Sequence, residues 1–166
     1  MPRACLVLLG VWLGLVVASW AMATANFRTV DRLLGPAMRP ELGDRLGPLA
    51  PADRRVALRH MASELNRWMF SRGGLAQLVL GLVVAALAWP AGGSARALTL
   101  AAAAIVLLQL ALGRSILELG RSLDFLPRPL APELARRFGL LHAAYVGTDL
   151  LKAVLLVVAA WTGPRT

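Results

Sequence analysis

The sequence predicts an all-α polytopic membrane protein: four transmembrane helices in a small bundle plus a cytoplasmic amphipathic helix, one membrane domain over residues 1–166. Three observations lead there. Hydrophobic residues make up 58% of the chain and charged residues only 16%, with a mean hydropathy of +0.65, which is too apolar for an ordinary soluble domain. The apolar residues gather into four runs close to the roughly 20 residues a helix needs to cross hydrocarbon. The arginines flank those runs, so the net charge of +9 reads as a topology signal and not as a nucleic-acid surface.

The first span covers residues 5–25, "CLVLLGVWLGLVVASWAMATA", and places Gly10, Gly14 and Ala18 at four-residue spacing, a ridge that permits close helix packing. A rival reading makes this run a cleaved signal peptide, with Arg3 as its basic start and "AMA" or "ATA" as its cleavage site. Cleavage would leave both arginine-rich connections outside, against the charge rule. Residues 35–51, "GPAMRPELGDRLGPLAP", read as an irregular surface link. Residues 52–72 then show helical periodicity, with Leu58, Met61, Leu65, Trp68 and Met69 on one face and Arg59, His60, Ser63, Glu64 and Arg67 opposite. Asp53 is placed to cap this helix. A basic amphipathic helix of this kind is expected to lie on anionic headgroups or against the ends of the bundle; docking of a soluble partner is the sharper alternative.

The second span, 74–91, repeats Gln77, Gly81 and Ala85 at four-residue spacing, and Pro90 with Gly92 and Gly93 predicts a tight hairpin into the third span, 97–119. Pro127, Pro129 and Pro132 separate that span from the fourth, 138–161. Nine arginines lie between Asn26 and Gly73, and Arg114, Arg121, Arg128, Arg136 and Arg137 accompany the second long connection. Only Arg3, Arg96 and Arg165 fall on the other side, so both termini are expected on the outer face.

The fourth span poses the chemical question. At about 100° per residue, His142, Tyr145, Asp149 and Lys152 fall within about 80° of one another, a single polar stripe on an otherwise apolar helix. Asp149 and Lys152 lie about 16 and 20 Å from Phe138, near the middle of a ~30 Å core, where each alone would cost roughly 2.5–3.5 kcal/mol. Their i, i+3 spacing lets them pair. On the third span Gln109 is the deep polar residue, with Arg114 and Glu118 nearer the cytoplasmic end, so a polar seam between the third and fourth helices is expected. The seam either locks packing or forms a proton or cation path in which His142 titrates.

Enzyme signatures are missing. "RHMASE" offers His60 and Glu64 without the second histidine of a helix-borne zinc motif, and there is no GxSxG and no phosphate-binding glycine loop. Haem on His60 and His142 is a poor fit, because His60 lies outside the span, and no metal or other cofactor is expected. The single Cys5 forbids an internal disulfide.

Two end motifs add a resemblance. "WLGLVVASWAMATANFRTVDRLLG", a first span ending in Phe27-Arg28, and "RFGLLHAAYVGTDLLKAVLL", a last span opened by Phe138-x-x-Leu141-His142, resemble a family of small four-helix bacterial membrane proteins of unassigned function, related to a eukaryotic transmembrane protein associated with drug resistance. In that family glycine usually follows the histidine and an asparagine comes a turn or two later; Ala143 and Asp149 depart from this. The resemblance implies a four-helix fold in a bacterial inner membrane and gives His142 some weight, with no established activity. The expected role is structural, accessory or partner-binding, with anionic lipid, a membrane-protein partner or a second copy of the chain as contacts. The alternative is a small proton- or cation-linked transport component using the fourth-helix stripe.

Overall fold

The computed structural model describes every residue except Ala37, Gly92, Arg128 and 164–166, together with the side chain of Ala91. The predicted roles of Gly92, Arg128 and Arg165 therefore lie outside the described residues. Among the described residues five α-helices follow one another: α1 (Arg3–Leu33), α2 (Pro40–Leu46), α3 (Pro51–Ala88), α4 (Gly93–Leu123) and α5 (Pro132–Thr162). No strand occurs among the described residues. Four of the helices, α1, α3, α4 and α5, are long and apolar enough to cross a membrane, as expected of a multi-pass protein.

Each long helix overruns its apolar run by several polar turns. Pro51 and Pro132 occupy the first turns of α3 and α5, where a missing N–H is harmless, so these prolines start helices. Asp53 sits inside the first turn of α3 and caps nothing by hydrogen bond; its charge still suits the positive end of the helix dipole. The link expected to be irregular contains α2, which begins at Pro40 with Glu41 beside it. Arg54 pins the end of that link, donating from Nε to the Leu49 carbonyl (2.8 Å) and from a terminal nitrogen to that of Gly47 (3.0 Å). Between α3 and α4 a short 3-10 turn, Trp89–Ala91, leads to Gly93, whose φ of +54° lies in the left-handed region that favours glycine.

The long helices run alternately up and down. Cys5 faces Val84, Trp12 faces Gln77 and Asn26 faces Asn66, so α1 and α3 are antiparallel. Gln109 meets Asp149 across α4 and α5, and Met1 donates from its amino group to the Gly163 carbonyl (3.1 Å), closing α1 against α5. Both long connections consequently share one end, the arginine-rich end, and Met1 and Gly163 share the other. The apolar core comprises Cys5, Leu9, Trp12 and Val16 of α1, Val84 and Ala88 of α3, Ala102, Ala103 and Val106 of α4, and Leu156 and Ala159 of α5.

Two of the faces read from the sequence can now be placed. The amphipathic helix of residues 52–72 runs without a break into the second span, as the first half of the 38-residue α3. The two faces read from the sequence stay apart: Asn66 and Arg67 are buried while Met61 (66% exposed), Leu65 (51%) and Trp68 (63%) point outward. An outward apolar face suits lipid, and the inward polar groups find partners inside the bundle. The small-residue ridge of α1 is likewise outside. Gly10, Gly14 and Ala18 are exposed, and a Cβ at either glycine would meet nothing within 4 Å. The matching ridge of α3 does pack: a Cβ on Gly81 would lie 2.6 Å from Cη2 of Trp12, so glycine is what lets the indole seat against α3.

Candidate functional site

Asp149 and Lys152 sit at the centre of the bundle, 4% and 1% exposed. Lys152 lies ten residues before Thr162, about 15 Å from that end at ~1.5 Å per residue, so the pair occupies the middle of the long helices. One helical turn separates them, and the Lys152 Nζ rests 2.6 Å from Asp149 Oδ1. The ammonium also donates to Gln77 Oε1 and Gln109 Oε1, both at 2.7 Å. An ammonium has three N–H donors, and here each has an acceptor. Asp149 Oδ1 in turn accepts from Gln109 Nε2 (2.9 Å), while Oδ2 accepts from the Trp20 indole. Trp12 Nε1 donates to Gln77 Oε1 at 3.3 Å.

The result is a polar hub to which every long helix contributes: Trp12 and Trp20 from α1, Gln77 from α3, Gln109 from α4, and Asp149 and Lys152 from α5. The amide orientations follow from the donors around them. Gln77 must turn its oxygen to face two N–H donors, and Gln109 must present oxygen to the ammonium and nitrogen to the carboxylate. Among the described residues no fully buried side-chain nitrogen or oxygen lacks a hydrogen bond. A narrow crevice lined by Ser19, Phe70, Gly74, Gln77, Tyr145 and Asp149 approaches the hub but holds no water-sized space.

The structure joins the predicted seam at depth and does not join it toward the arginine-rich end. Gln109 faces the pair. Tyr145 is half-buried against Phe70, ring centroids 5.7 Å apart in an edge-on arrangement. His142 shares the angular face of Asp149 but is exposed, its ring stacked on Phe138 at 6.1 Å. Arg114 and Glu118 are exposed too, and no described ion pair or hydrogen bond joins them to His142. Helical phase gives residues a common face; whether a neighbour covers that face at a given height is a separate matter. Trp12, Trp20 and Gln77 were not among the predicted polar partners. Their signal was present, because an indole N–H deep in an apolar run needs an acceptor.

A second polar cluster closes the arginine-rich end. Arg67 of α3 makes a two-pronged ion pair with Asp124 just beyond α4, both contacts at 2.7 Å, and reaches Glu64 Oε1 at 2.6 Å. His60 Nδ1 lies 2.8 Å from Asp124 Oδ2, and Arg121 Nε lies 3.5 Å from Glu64. Burial pushes the Asp124 carboxyl up, but the hydrogen bonds from Arg67 and His60 outweigh it and hold the group below the usual carboxylate range. The Arg67 hydrogen bond likewise lowers Glu64, and the Asp124 carboxylate raises Arg67. His60, Glu64 and Asp124 bring ligand-type atoms within 4.8 Å of one another. Arg67 already engages both carboxylates and Arg121 approaches Glu64, so two guanidiniums balance the two negative charges and this geometry does not call for a metal ion. Arg59, the remaining predicted member, stacks over Phe27 at 5.4 Å and stays outside the cluster.

Comparison with known protein families, with curated proteins and with solved structures finds no match. The resemblance in the end motifs accordingly transfers no residue role to either cluster.

Proposed function

We propose that this is a multi-pass inner-membrane protein with a structural, accessory or partner-binding role, without catalytic chemistry of its own, built around the Asp149–Lys152 hub. The observation that carries this reading is the closure of the hub. Lys152 has no N–H left for a substrate, its carboxylate partner is bonded on both oxygens, and the crevice that reaches Asp149 holds no water-sized space. A transport site must bind and release its cargo, whereas a saturated buried pair favours one helix register. Both termini belong on the outer face by the arginine asymmetry. Retention of α1 is supported by its share of the core, since cleavage would remove Trp12 and Trp20 and leave Gln77 and Asp149 short of partners.

A proton-linked transport role is the second reading, favoured by the crevice that brings Tyr145 and Ser19 beside Asp149. Reconstitution separates the two. In liposomes under an imposed pH gradient and membrane potential, the full chain is expected to show no proton flux above protein-free vesicles. Flux that disappears in Asp149→Asn would replace the structural reading with the transport one.

A further inference from the structure

Outside the hub, a groove of about 390 Å³ opens at the arginine-rich end of the α4–α5 interface. Ser115 of α4 lines one side; Glu133, Arg136, Arg137, Leu140 and Leu141 of α5 line the other. We infer that this groove binds one anionic phospholipid, with its phosphodiester on Arg136 and Arg137 and an acyl chain on Leu140 and Leu141. The inference rests on the membrane reading above.

Three features carry it. Arg136 and Arg137 are exposed and join no ion pair among the described residues, unlike Arg39, Arg55, Arg67 and Arg121, each of which has an acidic partner. Two adjacent guanidiniums with free donors, beside a serine hydroxyl, suit the oxygens of a phosphodiester. Second, the groove is ordered as a lipid is. Leu140 and Leu141 follow the arginines by four residues, about 6 Å nearer the middle of the bundle. The same outward face of α5 continues through Gly147, where a Cβ would meet nothing within 4 Å, to Leu151, 51% exposed, giving an apolar track below the charged mouth. Third, Glu133 sets the charge. Two arginines and one glutamate leave the groove at about +1, which matches a singly charged headgroup and disfavours a polyphosphorylated one.

The test titrates the purified full chain in mild detergent with phosphatidylglycerol, phosphatidylcholine or inorganic phosphate, counting bound molecules by native mass spectrometry. One phosphatidylglycerol should bind in preference to phosphatidylcholine, and excess inorganic phosphate should not displace it. Arg136→Gln with Arg137→Gln should weaken this binding by about thirtyfold, two surface arginine–phosphate interactions. Arg28→Gln with Arg32→Gln, equal in charge but on α1, which does not line the groove, should leave it within about twofold. Glu133→Gln should tighten it by removing a like charge. Equal loss in the α1 variant, unchanged binding in the groove variant, displacement by inorganic phosphate, or weaker binding in Glu133→Gln would each overturn the site. Resistance of the unmodified chain to alkaline extraction from membranes tests the underlying reading separately. A chain that resists extraction yet fails the titration loses only the groove proposal; a chain that is extracted loses the membrane reading itself.

Discussion

Gly81→Ala should destabilise the bundle by about 2–4 kcal/mol. The added Cβ would stand 2.6, 3.0 and 3.2 Å from three carbons of the Trp12 indole, well inside van der Waals contact. Trp12 is fully buried beside Leu9 and Val16, so it cannot swing aside without disturbing the core. Overpacking of this kind costs about 1–3 kcal/mol. Displacing the indole also loses its hydrogen bond to Gln77, a further 0.5–1.5 kcal/mol or so. Denaturant unfolding in detergent, followed by tryptophan fluorescence, measures the change. Gly14→Ala is the control, because that position is open and the substitution should be close to neutral. Adding Trp12→Phe to Gly81→Ala should recover part of the loss, since the smaller ring withdraws the clashing atoms. A Gly81→Ala protein within about 0.5 kcal/mol of Gly14→Ala would refute the packing described for α1 against α3.

Other outcomes follow from the arginine-rich end. Arg67→Gln should destabilise by about 3 kcal/mol in the same assay, because it strips a buried carboxylate of its two-pronged partner. The pH dependence has a definite sign: Asp124 and Glu64 are held below their ordinary values, so their contribution is present at neutral pH and fades as pH falls through those lowered values, below about pH 4. Arg67→Gln should flatten that acid-side loss in a denaturation series. Trp68, outward on α3, should be quenched by brominated lipid in reconstituted vesicles, whereas Trp12 should be protected. A reporter fused at the C-terminus should signal the outer face; a cytoplasmic signal would reverse the topology.

The helices were legible because hydrocarbon imposes a simple rule: about 20 apolar residues in sequence form one span. Their true ends were less legible, since polar turns such as Arg28–Leu33 and Pro132–Arg137 remain helical without any apolar run to mark them. Which face of α3 the bundle covers was not legible from periodicity alone. In water an apolar stripe points to the core, but Met61, Leu65 and Trp68 point outward while Asn66 and Arg67 turn in to partners on α1 and beyond α4. Gly10 and Gly81 belong to equally good small-residue ridges, and only the large Trp12 on the opposing helix distinguishes the one that packs. Among the polar residues, spacing alone paired Asp149 with Lys152 and pointed Gln109 at them. It could not reveal Trp20 or Gln77, because their contact depends on which helices become neighbours.

The central claim is that Asp149 and Lys152 stabilise one closed packing as a unit, and a double-mutant cycle addresses it most directly. Asp149→Leu strands the Lys152 ammonium and orphans the N–H groups of Trp20 and Gln109; Lys152→Leu strands the carboxylate. Each single change should cost about 3–5 kcal/mol, and the double change should fall short of their sum by at least ~2 kcal/mol, since removing the second charge relieves the first. If the two losses instead add to within about 0.5 kcal/mol, the two residues act independently and the hub does not organise this bundle.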